Sequence, residues 1–252
     1  MKLSVPFAAL AAPFAALALA SCGSGDAGGN IVASAPVAAK AAPTGKNWIE
    51  TVSKTPDFGY RMGNPDAPLK LIEYGSRACP ACAQFDAEGY PELKQKYVAT
   101  GKVSYEFRDY PIHGPLDVAP ILLGHCVDES VFFPLLDQMM SNQPTLLANE
   151  RDVSARIQAM PGAAPAAVAT AYAEGLGYLD FVKQRGVPEA KARACLNDAA
   201  KLDALTKSTA KANADYQVSG TPTFILNGSP VVLSGTGGTW AQLESVLKRA
   251  GG

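Results

Sequence analysis

The chain has 252 residues, of which 48% are hydrophobic, and its formal net charge at pH 7 is -1. This length and composition are typical of one generous globular domain or two small ones with a sizeable core. The near-neutral charge excludes the excess of lysine and arginine that phosphate backbones attract, so nucleic acid is not an expected partner.

Residues 1–21 have the organisation of a secretory signal peptide. A basic residue precedes an apolar run that is too short to span a membrane and is interrupted by two prolines. The run ends in Leu19-Ala20-Ser21-Cys22, which resembles a bacterial lipobox, with Cys22 as the lipidated first residue of the mature chain. The same letters contain Ala18-Leu19-Ala20, a small-residue cleavage site that leaves Cys22 unlipidated. We favour lipidation, because otherwise an exported protein carries an exposed, unpaired thiol.

Residues 22–46 form a low-complexity segment. They are mostly glycine, alanine, serine and proline, so they cannot bury a core and predict a flexible tether. Together with a lipidated Cys22, the tether would hold a soluble domain near a membrane surface by a lipid anchor only.

The first regular elements predicted are a strand, a helix and a second strand. A largely apolar strand over Leu69–Tyr74 follows a turn, and a helix begins at Pro80, breaks near Gly89 and continues to a C-cap at Gly101. Alternation over Val103–Arg108 then indicates the second strand. A right-handed crossover makes the two strands parallel neighbours.

Helical spacing dominates the middle of the chain, and strand signals return near its end. Residues 115–214 predict an all-helical insertion between a first part at 47–114 and a second part at 215–252. In the second part, Asn227-Gly228 predicts a hairpin turn between strands at Thr223–Leu226 and Val231–Leu233. Thr239 and Gln242 predict a capping box for a final helix. The fold class is α/β, with a central mixed sheet flanked by helices.

The chain has five cysteines, at positions 22, 79, 82, 126 and 195. If lipid consumes the first, the other four are an even number, as expected in an oxidising compartment. Cys79 and Cys82 are close enough to pair locally, which leaves Cys126 with Cys195. We interpret that second pair as a structural disulfide rather than a second redox centre, while two unpaired buried thiols stay possible.

Cys79-Pro80-Ala81-Cys82 has the spacing of a redox-active thiol pair. Cys79 stands at the N-terminus of the helix that starts at Pro80, where unpaired N–H groups and the helix dipole favour a thiolate. Cys82 lies one turn further along and can resolve a mixed disulfide. Zinc requires about four ligands, and the sequence offers only His113 and His125, so we predict no metal and no cofactor. Neither histidine receives a catalytic role.

A strand, a CxxC helix, a helical insertion and then Gly220-Thr221-Pro222-Thr223-Phe224 follow one another in the order typical of a known family. Over about residues 47–251 the chain resembles the bacterial DsbA-like thiol:disulfide interchange family, which implies a thioredoxin fold with an all-helical insertion domain. The resemblance also implies a cis-proline at Pro222 and substrate binding by the backbone of Thr221. It further implies an acidic residue beneath the active site at Glu73. We expect this carboxyl group to exchange a proton with Cys82, the alternative being a strand-end glutamate paired with a lysine.

The sequence departs from the family's strong oxidants at Ala81, where they carry histidine. Alanine cannot hydrogen-bond the Cys79 thiolate, so we expect a weaker oxidant. The favoured function is a periplasmic, lipid-anchored oxidase of thiols in exported proteins, monomeric and served by a DsbB-like membrane partner. The alternatives are a protein-disulfide reductase with a DsbD-like electron donor, or a non-catalytic binding or chaperone lipoprotein. An isomerase is disfavoured, because residues 23–46 are too short and polar to form the extra N-terminal dimerisation domain of similar isomerases.

Overall fold

The computed structural model describes residues 1–2 and 34–252. The predicted signal peptide, Cys22 and the first part of the predicted tether therefore lie outside the described residues, apart from positions 1 and 2. Within the described ranges, no helix combines the length and the apolar character needed to cross a membrane.

The described strands form one mixed sheet. They are β1 (Val52–Lys54), β2 (Gly59–Gly63), β3 (Leu69–Gly75), β4 (Val103–Asp109), β5 (Thr223–Leu226) and β6 (Ser229–Pro230), in the spatial order β1-β2-β4-β3-β5-β6. Strands β3 and β4 are parallel neighbours, as the sequence predicts, and the other pairs are antiparallel. This mixed sheet flanked by helices is the predicted α/β fold class.

Helices connect and cover the sheet. A short 3₁₀ turn (Trp48–Glu50) precedes β1, and the others are α1 (Pro80–Glu88), α2 (Tyr90–Glu92), a π-helical segment (Leu93–Val98), α3 (Pro115–Gly124), α4 (Glu129–Ser141), α5 (Gln143–Leu146), α6 (Glu150–Gln158), α7 (Pro165–Gly175), α8 (Tyr178–Lys183), α9 (Glu189–Leu196), α10 (Ala199–Tyr216) and α11 (Thr239–Arg249). The two-part helix predicted between β3 and β4 is α1 followed by α2 and the π-helical segment. The helices between Pro115 and Tyr216 form the insertion.

Helix α4 contributes to two hydrophobic cores. Phe132 and Phe133 lie in the core between the sheet, α1 and α11, whereas Leu135 and Met139 lie in the core of the insertion helices. All four side chains are at most 2% exposed. Because apolar side chains point to both sides of α4, the insertion packs directly against the sheet domain.

The hairpin after β5 corrects the predicted position of the last strand. Asn227 and Gly228 adopt φ of 49° and 81°, the left-handed values required by the predicted two-residue turn. The turn places Ser229 directly opposite Leu226, so β6 occupies 229–230 rather than the predicted 231–233. Val231 still donates a backbone hydrogen bond to Phe224 at 2.8 Å.

The start of α11 corrects a second prediction. Gly238, not Thr239, is the N-cap, and no side chain caps this helix. The Gln242 side chain instead accepts from the Gly235 N–H at 2.9 Å and donates to the Gly237 carbonyl at 2.8 Å. The predicted capping box is therefore wrong, because Gln242 stabilises the glycine-rich loop that precedes the helix.

Residues 34–46, the described part of the predicted tether, lie against the domain. Ser34 and Val37 donate backbone hydrogen bonds to Arg249 and Gly251, at 2.9 and 2.7 Å. Lys40 donates to Thr100 at 3.0 Å and accepts from the Trp48 indole N–H at 2.6 Å. Composition did not indicate this docking, because main-chain groups supply most of the contacts.

Candidate active site

The CxxC motif begins just beyond the carboxyl end of β3. Cys79 is the N-cap of α1 with extended backbone angles, and Pro80 occupies the first helical position. Proline fits there because its missing N–H has no partner in the first turn of a helix. Cys79 is 8% exposed, whereas Cys82 is 0% exposed, so only the first thiol is within reach of another molecule.

The surroundings of Cys79 favour its thiolate. A hydrogen bond from the Cys82 thiol, the backbone N–H groups of Cys82 and Ala81, and the side chain of Thr221 together lower the pKa of Cys79 to about 5, against the opposing effect of burial. Thr221 Oγ1 is buried and has no hydrogen-bond partner among the described residues, so it is available to donate to the thiolate. At neutral pH a reduced Cys79 is therefore ionised.

Cys82 is held in the opposite protonation state. Burial raises its pKa well above the ordinary value, and the thiol's hydrogen bond to Cys79 and the nearby Glu73 carboxyl raise it further. The Ser76 N–H contacts Cys82 Sγ at 3.5 Å. The pair therefore consists of an ionised outer thiol and a neutral inner thiol, an arrangement suited to attack by one and resolution by the other.

Glu73 lies in the middle of β3 and is 2% exposed. Its Oε2 accepts a hydrogen bond from the Tyr105 hydroxyl at 2.7 Å, and no lysine or arginine is paired with it. Burial raises the pKa of Glu73 to about 8, with further contributions from Asp86 and Cys79 and an opposing one from Tyr105. The described structure thus does not contain the lysine partner considered as an alternative.

The loop before β5 lies beside Cys79. The Thr221–Pro222 peptide bond is cis, as the resemblance implies. Cys79 Sγ lies 3.2 Å from the Thr221 carbonyl oxygen, to which it donates only when the thiol is protonated. This contact brings together residues that are 142 positions apart in the sequence. Thr221 and Pro222 thus form one wall of the site.

A polar network that sequence reasoning missed supports the loop before Cys79. The Asp117 carboxylate, 0% exposed at the start of α3, accepts from Ser76 Oγ at 2.7 Å and from the Ala78 N–H at 3.2 Å. Its second oxygen accepts from the His113 N–H at 2.8 Å and contacts His113 Nδ1 at 3.2 Å. The sequence interpretation connected His113 to nothing near Cys79, and the structure corrects it.

A signal for this network was present in the predicted topology. The carboxyl ends of parallel neighbouring strands meet at the same sheet edge, so the segments after β3 and β4 converge. Cys79 follows β3, while His113 and Asp117 follow β4. Sequence alone does not reveal how far each loop reaches, which is why spacing along the chain did not suggest the contact.

Gln143 and the Arg77–Asp109 ion pair also stabilise the loop before Cys79. Gln143 Nε2 donates to the carbonyl oxygens of Arg77 and Cys79 at 3.0 and 3.1 Å. The buried Arg77 guanidinium donates to both oxygens of Asp109, at 2.7 and 3.0 Å. His125 contacts the same carboxylate at 2.9 Å. His125 thus belongs to a buried ion pair rather than to the redox site.

A cleft of about 850 Å³ opens beside the CxxC motif. Its walls include Ala78, Pro80 and His113 on one side and Ile157, Met160 and Tyr172 of the insertion on the other. Its lining is mostly apolar but also includes Glu150, Ser154 and Gln158, so an extended segment of another protein with apolar and polar side chains fits its chemistry.

The remaining cysteines are bonded to each other. Cys126 and Cys195 form a disulfide across the insertion, with Cα atoms 5.9 Å apart, whereas Cys79 and Cys82 are free thiols. In the part of the chain that the structure describes, no three potential metal-binding side chains come together.

Comparisons with known proteins agree with this geometry. The thioredoxin family model matches residues 56–249. A putative protein-disulfide oxidoreductase of Rickettsia bellii is 28% identical over 167 residues, which cover 66% of this chain and 56% of that protein. A probable disulfide bond formation protein D of Bacillus cereus is 33% identical over 85 residues, 32% of this chain and 39% of the relative. The chain thus spans about half the length, or less, of these curated relatives.

Solved structures give longer matches. The protein-disulfide isomerase from Novosphingobium aromaticivorans is 32% identical with a TM-score of 0.68, over 76% of this chain and 97% of that one. Wolbachia pipientis alpha-DsbA1 shares the fold at 19% identity, with a TM-score of 0.55 over 76% of this chain and 90% of that one. With the matched family model and the CxxC site beside a cis-proline, these similarities show that the chain belongs to the thioredoxin family, as a DsbA-like member.

Proposed function

We propose that this protein is a thiol:disulfide oxidoreductase that forms disulfide bonds in exported proteins through Cys79 and Cys82. The observation that carries the proposal is the difference between the two thiols. The pKa of the accessible Cys79 is lowered to about 5, while that of the buried Cys82 is raised. Such a pair reacts at the outer sulfur only, and stabilising the Cys79 thiolate favours the reduced form, which makes the disulfide an oxidant.

The reaction runs in two exchange steps. A substrate thiolate attacks Cys79 Sγ of the Cys79–Cys82 disulfide, the S–S bond breaks, and Cys82 leaves with the electron pair. The substrate's second thiolate then attacks the substrate sulfur that is bonded to Cys79, forms the substrate disulfide and releases the Cys79 thiolate. Two electrons pass from the substrate, which gains a disulfide, to the CxxC pair, which becomes reduced. The Thr221 backbone and the cleft beside Pro80 hold the substrate segment during attack.

Glu73 supplies the proton for the first step. Its pKa is about 8 with both thiols free, and burial, the largest cause, also acts when the disulfide is intact, so we infer that Glu73 carries a proton at neutral pH in that form too. Cys82 leaves as a thiolate in a buried environment that disfavours negative charge, so it takes up a proton as it leaves. Glu73 is the nearby buried acid, and Tyr105 orients its carboxyl group.

Ala81 sets the strength of the oxidant. A histidine at this position would add a donor to the thiolate, and alanine does not. The Cys79 pKa of about 5 lies between about 3.5, typical of the strongest oxidant, and about 7 for thioredoxin. We therefore propose an oxidant of intermediate strength.

The proposal extends to location and partners. Disulfide formation requires an oxidising compartment, and the signal-like residues 1–21 favour export to the periplasm, with a lipid anchor at Cys22. The substrates are exported proteins with free thiols, and a DsbB-like membrane protein reoxidises the pair. We expect the domain to act as a monomer.

The reduction potential of the Cys79–Cys82 pair tests the direction of electron flow. Equilibration with glutathione gives the potential, and refolding of a reduced substrate and reduction of insulin measure the two directions. A potential between about -120 and -200 mV with efficient refolding supports the oxidase. A potential near about -270 mV with efficient insulin reduction favours the alternative function, a protein-disulfide reductase. Inactivity of the wild type in both assays favours a non-catalytic binding protein.

A further inference from the structure

Hydrogen bonds from Cys82, Thr221 and the N–H groups of the first helical turn lower the pKa of Cys79, and a nearby positive charge would add to their effect. Ala81, inside the CxxC motif, has no side-chain charge or hydrogen-bond donor to offer the thiolate. Within the described residues, the loop after β4 brings His113 into the cleft that is also lined by Ala78 and Pro80, the residues on either side of Cys79.

Hydrogen bonds link His113 firmly to the loop before Cys79. One carboxylate, that of Asp117, accepts from the backbone N–H of His113 and from that of Ala78. Ser76 Oγ lies 3.2 Å from His113 Nδ1 and accepts from the Ala78 N–H at 3.1 Å. The imidazole is therefore fixed relative to Cys79 rather than free to swing away, although its side chain stays 37% exposed.

The network also determines which ring nitrogen titrates. Ser76 has one hydroxyl proton, and it is donated to Asp117 Oδ1 at 2.7 Å. In the contacts of His113 Nδ1 with Ser76 Oγ and with Asp117 Oδ2, Nδ1 must then be the donor. Nδ1 thus keeps its proton at all ordinary pH values, and Nε2 takes up the second one.

The charges around His113 favour that second proton. The hydrogen bond to Asp117 raises the pKa of His113 against the opposing effect of partial burial, and the negative charges of Asp117, Cys79 and Glu150 raise it further. These groups come from α3, the CxxC motif and α6, the elements packed around the imidazole. Protonation of Nε2 gives the imidazole a positive charge next to the Asp117 carboxylate, 3.2 Å from Nδ1.

We propose that His113, protonated at Nε2, is the cation that stabilises the Cys79 thiolate, acting from the loop after β4 instead of from within the CxxC motif. Asp117 positions it, and Ser76 sets its tautomer. His113 supports the thiolate through its charge and forms no bond with it. Because the thiolate exists only in the reduced protein, the two groups are thermodynamically linked: whatever His113 contributes to Cys79, Cys79 contributes to His113.

The linkage gives a direct test in the unmodified protein. The chain has two histidines, so proton NMR of the imidazole Cε1–H groups gives two signals. We expect the pKa of His113 to be about half a unit or more higher in the reduced than in the oxidised protein, because only the reduced form holds a thiolate nearby. His125, buried and stacked on Phe58 at 4.1 Å, is the internal control and should give the same signal in both states. Equal His113 pKa values in the two states would overturn the proposal.

Substitutions provide the second measurement. His113→Gln removes the charge but keeps an N–H for Asp117, and it should raise the pKa of Cys79, read from thiolate absorbance, by about half a unit. That change corresponds to about threefold in the redox equilibrium with glutathione. His113→Lys should restore most of the effect, because it returns the charge without the imidazole. The difference between wild type and His113→Gln in the redox equilibrium with glutathione should vanish as pH rises through the His113 pKa, because the imidazole then loses its charge. A purely structural defect would give the same difference at every pH.

This inference rests on the proposed role of Cys79, and the experiments separate the two failures. If Cys79 is not the redox thiol, Cys79→Ser retains disulfide-exchange activity and the reduced wild type shows no low-pKa thiolate. If Cys79 is the redox thiol but His113 is uninvolved, Cys79 still shows a low pKa, while the His113 pKa is the same in the reduced and the oxidised protein.

Discussion

Glu73→Gln should stabilise the protein in a pH-dependent way. The buried carboxyl keeps its proton in the folded chain up to a pKa of about 8, whereas an unfolded chain releases it near the ordinary value of 4.5. The folded state therefore binds more protons than the unfolded state between these values, so wild-type stability falls as pH rises through this window. Glutamine keeps the shape and can still accept from the Tyr105 hydroxyl, but it has no proton to lose.

The expected gain follows from the two pKa values. At pH 7 the variant should be more stable by about 3 kcal/mol, and below pH 4.5 the two proteins should have similar stability. Between those limits the difference should grow by about 1.4 kcal/mol per pH unit. Urea unfolding of the reduced proteins measures it, because the pKa of about 8 holds for the chain with both CxxC thiols free, and these thiols titrate in both proteins. Asp86, whose pKa is raised to about 7, titrates in both proteins and so largely cancels in the comparison.

Glu50→Gln is the matched control, because it removes an exposed carboxylate of the same type and should give no comparable pH-dependent gain. Two results would refute the reasoning about Glu73. One is a stability difference that does not change with pH. The other is a variant less stable than wild type at pH 7, which would mean that the folded structure stabilises an ionised carboxylate.

Three further outcomes are expected. Cys82→Ser, mixed with a disulfide-bonded substrate, should accumulate a mixed disulfide at Cys79, detected by mass spectrometry, because the Cys79 thiolate opens the substrate disulfide and the thiol that would resolve the adduct is gone; no adduct would contradict the assignment of the nucleophile. Replacing both Cys126 and Cys195 by alanine should cost up to about 4 kcal/mol in urea unfolding, since the disulfide closes a separation of 69 residues, while the CxxC potential should stay unchanged. Arg77→Met should destabilise by about 3–5 kcal/mol, because it leaves the Asp109 carboxylate buried without its main partner; a smaller loss would show that His125 suffices.

The CxxC site was predictable because each of its parts has a local signature. Pro80 marks the start of a helix, and Cys79 and Cys82 have the spacing of one turn. Outside the site, Asn227-Gly228 predicts a hairpin in the same local way, because both residues adopt the positive φ that the turn requires. Glu73 was noticeable as a carboxylate in an apolar strand. These features depend on neighbours in the sequence, so periodicity and residue type suffice to find them.

The rest depends on contacts between distant segments. The predicted segments did not include β1 and β2, because these strands are short and Gly59–Gly63 lacks a clean alternation of apolar and polar residues. The support of the Cys79 loop by Asp117, from 39 positions away, follows from how two loops meet at one sheet edge. No pattern within either loop carries that information.

The docking of residues 34–40 fixes where this segment lies relative to the active site. Lys40 is hydrogen-bonded to Thr100, just before β4 begins, while Cys79 lies past the opposite end of the sheet. The seven residues of β4 alone separate these two poles by about 20 Å. Residues 34–40 are therefore docked at the end of the sheet remote from the CxxC motif, and they leave clear the edge at which a polypeptide substrate would approach Cys79.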